Sequence, residues 1–352
     1  MVYKRFRTSA GMSININSLV LHLTERCNMR CKYCYVTHDN ERMSKEVAEA
    51  AVDYLLQNCG QYARVTFFGG ESLLEFELIR HITDYAYSKS RPVMLDIITN
   101  GTLLTDEFFD YAETNKIHIS ISYDGLLNDS NRVNEDNKPL LDIAKYQDAI
   151  RKHEITSAGV IDVNNVGIWH DNVLHLRELG FKSMDFFINY SSPWQVEHVE
   201  IMRREFFKIA KTYVKWVKGN DKVRIAKIDD MVRAYSSKFG ISKTRVRRDL
   251  VYSVAVNGDV FPYASAVGNK NLLLGNVVTG MNQTLLNKIN SMGFVKGCEE
   301  CSINDACVAA KGNIITDAIE PYAFPIACNG YKIGFDVADY VLNELFQRPE
   351  ED

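Results

Sequence analysis

The chain has 352 residues, 46% of them apolar, which is enough for one domain of barrel size and a smaller appendage. No run of about 18 apolar residues occurs, and residues 1–17 lack the apolar stretch of a signal peptide, so a helical membrane anchor is not expected and a cytoplasmic protein is. A net charge of −4 gives no general field for gathering nucleic acid, and the basic run Lys243, Arg245, Arg247 and Arg248 reads as solvated surface.

From residue 19 to about 190, short apolar runs alternate with segments of helical period. The runs predict strands over 19–23, 64–68, 94–99, 118–122, 157–161 and 184–188. The segments predict helices over 44–57, 76–87, 106–113, 141–152, 172–179 and 203–217. Right-handed crossovers make such a sheet parallel, and six units predict an α/β fold, a partial (β/α)6 TIM-like barrel. After Lys218 the alternation stops. A hairpin is expected over 251–256 and 259–262 around Asn257-Gly258, then loops, then a closing helix over 334–346. The expected division is an N-terminal extension over 1–18, the barrel over 19–220 and a small irregular C-terminal domain over 221–352.

Seven of the eight cysteines fall in two groups, Cys27/Cys31/Cys34 and Cys298/Cys301/Cys307/Cys328. Clustering of this kind in a cytosolic chain points to metal rather than to disulfides. Cys59 stands alone and reads as a small core residue.

Ligands of parallel α/β proteins sit at the carboxyl ends of the strands. The loop after the first strand carries Cys27, Cys31 and Cys34, and the loop after the second carries Gly69-Gly70-Glu71. Asn100-Gly101 follows the third strand and Asp124-Gly125 the fourth. Three close thiolates can wrap three corners of a cubane and leave one iron open to a ligand. Read alone, the same loop also suits half of a zinc site. Gly69 and Gly70 let backbone approach a ligand closely, and Glu71 offers a carboxylate to an ammonium group. Asn100, Ser122 and Asp124 can hydrogen-bond ribose hydroxyls and a carboxylate.

The Cys-x3-Cys-x2-Cys loop with Tyr33 before its last cysteine, followed by Phe67-Phe68-Gly69-Gly70-Glu71, resembles the radical S-adenosylmethionine (SAM) superfamily over about residues 19–190. The resemblance implies that Cys27, Cys31 and Cys34 hold a [4Fe-4S] cluster whose open iron chelates SAM. It implies that Gly70 and Glu71 bind the SAM ammonium, Tyr33 backbone the adenine, and Asn100 and Ser122 the ribose and methionyl part. Reductive cleavage would then yield a 5′-deoxyadenosyl radical that takes hydrogen from substrate.

The C-terminal part resembles a SPASM module, which implies that Cys298, Cys301, Cys307 and Cys328 hold one closed auxiliary [4Fe-4S] cluster, with zinc as the alternative. Tyr263 and Lys311 stand where that module has cysteines of a further cluster, so that cluster is expected to be absent. Ala264 stands where sulfatase maturases carry an aspartate base.

The closest likeness of the motifs is to maturases of ribosomally made peptides. A peptide or protein substrate modified by cross-linking or epimerisation is expected, with flavodoxin or ferredoxin as electron donor. Only about 18 residues precede the first strand, so no separate leader-binding domain is expected there. The alternatives are a dehydrogenase or haem-pathway enzyme acting on a small molecule, and a non-catalytic iron–sulfur or zinc protein.

Overall fold

The computed structural model describes residues 16–60, 62–241, 251–282, 284, 286, 300–303, 307 and 323–346. Strands β1 (Ser18–Thr24), β2 (Ala63–Gly69), β3 (Val93–Thr99), β4 (Ile117–Ser122), β5 (Thr156–Ile161) and β6 (Ser183–Ile188) are the six expected from sequence. They pair in chain order and all in parallel. Between them run helices α1 (Lys45–Asn58), α2 (Phe76–Tyr87), α3 (Asp106–Thr114), the single turn α4 (Asn128–Asn131), α5 (Gln147–Lys152) and α6 (Trp169–Leu179). Helix α1 shows why they form where they do. Ser44 caps it by accepting from the Val47 N–H, and Ala48, Ala51, Val52 and Leu55 line one buried face at the i, i+3, i+4, i+7 spacing.

Past β6 the structure differs from expectation. Helix α7 (Val196–Lys218) starts seven residues before the predicted 203, where His198 Nδ1 accepts from the Gln195 N–H at 3.0 Å. A further βα unit follows, β7 (Arg224–Ile225) and α8 (Ala226–Lys238), with β7 parallel to β6. The buried face of α8 is carried by Ala226, Ile228, Met231, Ala234 and Ser236, where small and polar residues beside Ile228 and Met231 blur the apolar period. The segment before β5 is a 3-10 turn (Ile143–Tyr146) leading into the short α5, not one helix over 141–152.

The hairpin strands β8 (Tyr252–Val254) and β9 (Asp259–Phe261) form as read from the Asn257-Gly258 turn, but β8 also returns to the barrel and pairs in parallel with β1. The pairs β10 (Gly275–Asn276) and β11 (Gly280–Met281) extend that side. The result is one eleven-stranded sheet in the order β11-β10-β9-β8-β1-β2-β3-β4-β5-β6-β7. The closing helix α9 (Ala323–Phe346) begins earlier than the predicted 334, and Gly330 and Gly334 lie within it. A Cβ on Gly334 would sit 2.6 Å from Met231 Sδ, so glycine there permits close packing of α9 on α8. No helix among the described residues is long and apolar enough to cross a membrane.

The strands divide their side chains between two faces. Leu19, Leu21, Leu23, Val65, Phe67, Leu95, Ile97, Ile119 and Ile121 are buried in the main core shared with the helices, and Cys59 is buried there too. The opposite face is polar. Arg64 pairs with Asp96 at 2.6 Å, His118 Nε2 lies 2.8 Å from Thr156 Oγ1, which donates to Ser183 Oγ at 2.9 Å, and Arg224 Nη1 donates to the same Ser183 oxygen at 3.3 Å.

His22 belongs to this polar face yet is 3% exposed, and its Nε2 has no partner among the described residues. Burial lowers its pKa from 6.5 to about 4. A lowered folded-state value leaves stability intact above pH 6.5 and removes it as pH falls toward 4, because only the unfolded chain takes the proton in that window. The difference corresponds to about 3 kcal/mol. We expect wild type to lose about that much more stability than His22→Leu between pH 6.5 and 4, measured by urea unfolding of both chains.

Candidate active site

The cysteine loop leaves the end of β1 and lies against the end of β2. Gly69 has φ +125°, and a Cβ there would overlap the Thr24 carbonyl oxygen; a Cβ on Gly70 would overlap that of Arg26. Gly70 N–H donates to Thr24 O and Glu71 N–H to Arg26 O, each at 2.8 Å. The two glycines admit the chain's own backbone, the stem of the cysteine loop, where sequence reasoning expected them to admit a ligand.

Glu71 is fully buried. Its Oε1 accepts from Leu73 N–H at 3.0 Å and Thr99 Oγ1 at 2.6 Å, and its Oε2 from Asn100 N–H at 2.7 Å. Burial raises its pKa and these donors oppose the rise. The carboxylate thus joins the end of β2 to the end of β3. From there Asn100 continues the connection. Its Nδ2 donates to Asn28 Oδ1 at 2.8 Å and reaches Cys27 Sγ at 3.7 Å, while its Oδ1 accepts from Thr102 Oγ1 at 2.7 Å. Asn28 Nδ2 donates to the same Thr102 hydroxyl at 2.8 Å.

On the other flank, Lys32 N–H donates to Asn131 O at 3.0 Å and Arg30 N–H to Val133 O at 2.5 Å, tying the loop to the segment after β4. Asp124 is buried; its Oδ1 accepts from Arg132 Nη2 at 2.9 Å and Val160 N–H at 3.0 Å, and its Oδ2 accepts from the Tyr33 hydroxyl. Ser122 ends β4, half-buried, on the polar face of the sheet.

The three thiols suit an anionic cluster. Cys27 and Cys31 are half-buried and Cys34 is exposed, and all three are free. Cys27 Sγ accepts from Met29 N–H at 3.3 Å. Burial pushes Cys31 up to about 11 against the pull of the Arg132 guanidinium and raises Cys27, with thiol–thiol repulsion adding at both. Mutual repulsion relieved by N–H donors and a cation is what a three-thiolate ligand set for iron requires.

In the second group, Cys301 and Cys307 pack against a small core of Met231, Ala234, Ile303, Phe335 and Ala338, and Cys328 lies half-buried on α9. Cys298 and Lys311 lie outside the described residues, as do Lys243, Arg245, Arg247 and Arg248. Tyr263 packs with Phe261, Ala266 and Leu272.

Sequence reasoning brought Cys27, Cys31, Cys34, Tyr33, Gly69, Gly70, Glu71, Asn100, Ser122 and Asp124 to one edge of the sheet, and the structure gathers them there. It passed over Asn28, Thr99 and Thr102, which complete the hydrogen bonding around Cys27 and Glu71. The signal for them is that polar side chains crowd the strand-end segments Cys27-Asn28 and Thr99-Asn100-Gly101-Thr102.

Residues 21–189 match the Radical SAM superfamily, and the chain therefore carries a radical SAM domain. With that domain come S-adenosylmethionine and a [4Fe-4S] cluster as cofactors. An uncharacterised protein of Methanocaldococcus jannaschii is 34% identical over 192 residues, 52% of this chain and 66% of that one. A radical SAM cyclopropyl synthase of Paramaledivibacter caminithermalis is 25% identical over 206 residues, 53% of this chain and 41% of its own. The chain thus spans 41–66% of the length of these two curated relatives. A cysteine-type anaerobic sulfatase-maturating enzyme of Clostridium perfringens is 24% identical across 92% of this chain and 96% of its own. The fold is shared with native anSMEcpe, solved with bound AdoMet and Cp18Cys peptide, at a TM-score of 0.74 and 19% identity, covering 94% of this chain and 99% of that one.

Replacing Gly70 by Ala should force the stem of the cysteine loop off β2. We expect a loss of about 2–3 kcal/mol in urea unfolding and reduced iron uptake, read by iron content after anaerobic reconstitution.

Proposed function

We propose that the chain is a radical SAM maturase that abstracts hydrogen from a peptide or protein side chain or α-carbon. The observation that carries the chemistry is the seat of Cys27, Cys31 and Cys34, three thiols on one strand-end loop with the Met29 N–H and the Asn100 amide on Cys27 Sγ and Arg132 set across from Cys31. When bound, the cluster and SAM supply a one-electron cleavage that generates the 5′-deoxyadenosyl radical. The chain's own residues position and enclose. Glu71 and Asn100 hold the loop at the strand ends, and Glu71 Oε2, which accepts one hydrogen bond here, has lone pairs left for an ammonium. Tyr33 backbone, Asn100 and Ser122 line the same edge for the adenine, ribose and methionyl parts of SAM.

A peptide substrate is supported by likeness of fold to a protein solved with a peptide bound. Ala264 opens a short 3-10 turn (Ala264–Ala266) and has no acid–base chemistry, so proton removal at that place falls to another group or is not needed. That separates this chain from the aspartate-bearing sulfatase maturases. The division into a 1–18 extension, a 19–220 barrel and a 221–352 auxiliary region belongs to the same proposal, with Cys298, Cys301, Cys307 and Cys328 as ligands of the auxiliary cluster and a flavodoxin or ferredoxin as electron donor.

Anaerobically reconstituted protein should hold about eight irons per chain, and Cys301→Ala/Cys307→Ala about four. Reduced with dithionite and given SAM, wild type should release 5′-deoxyadenosine and Cys31→Ala should lose at least about a hundredfold of that rate. Absence of 5′-deoxyadenosine with every candidate substrate would overturn the assignment. A mass change in a short peptide encoded beside the gene, dependent on SAM, would identify the substrate class; turnover of small molecules alone would refute it.

A further inference from the structure

Arg132 is 7% exposed and lies directly across from Cys31. The N–H groups of Arg30 and Lys32, on either side of Cys31, donate to the carbonyls of Val133 and Asn131, on either side of Arg132, at 2.5 and 3.0 Å. This double bridge fixes the two backbones against each other. The Arg132 N–H closes onto Asn128 O at 2.8 Å, so the segment is also anchored to α4. The guanidinium is aimed by Asp124, at 2.9 Å, and lies over the Tyr33 ring with its carbon 5.4 Å from the centroid. Asp124 is in turn fixed by Val160 N–H and the Tyr33 hydroxyl. Arg132 Nε is buried without a partner among the described residues.

Other charges nearby are already engaged. Arg30 is partly exposed; its Nη2 pairs with the exposed Glu135 and its Nη1 donates to the carbonyls of Cys27 and Met29, each at 2.8 Å. Glu71, on the far side near Cys27, is buried and neutralised in part by three hydrogen bonds. A buried cation is costly unless an anion offsets it, and Asp124 alone leaves one guanidinium N–H unsatisfied. The missing anion is on hand in a three-thiolate cluster.

We propose that Arg132 is a positioning residue that tunes the cluster: its buried guanidinium, pinned opposite Cys31, offsets the cluster's negative charge and makes one-electron reduction easier, while Asp124 moderates it. This rests on the cluster being held by Cys27, Cys31 and Cys34, not on the peptide reading, and its test needs no peptide. Reduction adds one electron, taken from dithionite, to the cluster and no proton need move. A fixed positive charge favours the reduced form and a fixed negative charge disfavours it.

The test is an EPR-monitored redox titration of the reconstituted holoenzyme, following the signal that changes on addition of SAM. Arg132→Met should leave about tenfold less reduced cluster at a given solution potential, a midpoint lower by about 59 mV for one electron. Asp124→Asn should move the midpoint the other way, and Arg132→Lys should restore most of the Arg132→Met shift. An unchanged or raised midpoint in Arg132→Met overturns the proposal. So does a lowered midpoint in Asp124→Asn, because a merely structural role would impair loading in both variants without opposite shifts. Should Arg132→Met load no iron, Asp124→Asn decides by the direction of its shift.

Discussion

The site depends on a contact of backbone with backbone. The chain leaving β1 presses against the chain leaving β2 so closely that neither Gly69 nor Gly70 can carry a Cβ. Two N–H···O bonds fasten that contact, and the first cysteine comes one residue after it. Such a seam is stiff because its contacts run between backbone atoms and not through side chains that can change rotamer. A cluster loop has to return three sulfurs to fixed corners, and a stem of this kind removes most of the ways in which it could fail to.

From the seam outward, order is passed along polar side chains that cross from one strand end to the next. Glu71 couples β2 to β3, Asn100 couples β3 to the cysteine loop, and Asp124 couples the segment after β4 to Tyr33 and to β5 through Val160. Each is buried or nearly so, where an unsatisfied polar group is costly and a satisfied one is correspondingly rigid. These residues first support the loop, and whatever they offer to a cofactor is offered from a frame already fixed by the protein.

That double duty explains what the sequence made legible and what it did not. The six parallel strands were readable because one face of each is apolar and the runs are bounded by turn residues, and the three cysteines because their spacing suits few other purposes. The polar residues at the strand ends were readable as a group, since chemistry collects at that edge. Their partners were not. Whether Glu71 faces an ammonium or the Asn100 N–H is decided by tertiary packing, which periodicity does not encode. The return of Tyr252–Val254 to β1 was hidden for the same reason, as a three-residue strand has too short a pattern to declare which distant strand it will join. Helix α8 escaped because only Ile228 and Met231 among its buried residues are large and apolar, the rest being alanine and serine.

The pairing of β8 with β1 bears on how the protein is made. The strand that leads into the cysteine loop is synthesised before residues 252–254, yet it acquires its second neighbour only when they arrive. Until then one edge of β1 has open N–H and C=O groups, and closing it spans more than two hundred residues of sequence, a slow kind of contact to form. Iron delivered early in that interval would meet three thiols on a loop whose strand still lacks half its lateral support. Maturation of the site is therefore tied to the order of synthesis, with a later segment completing the support of the strand that leads to the cluster.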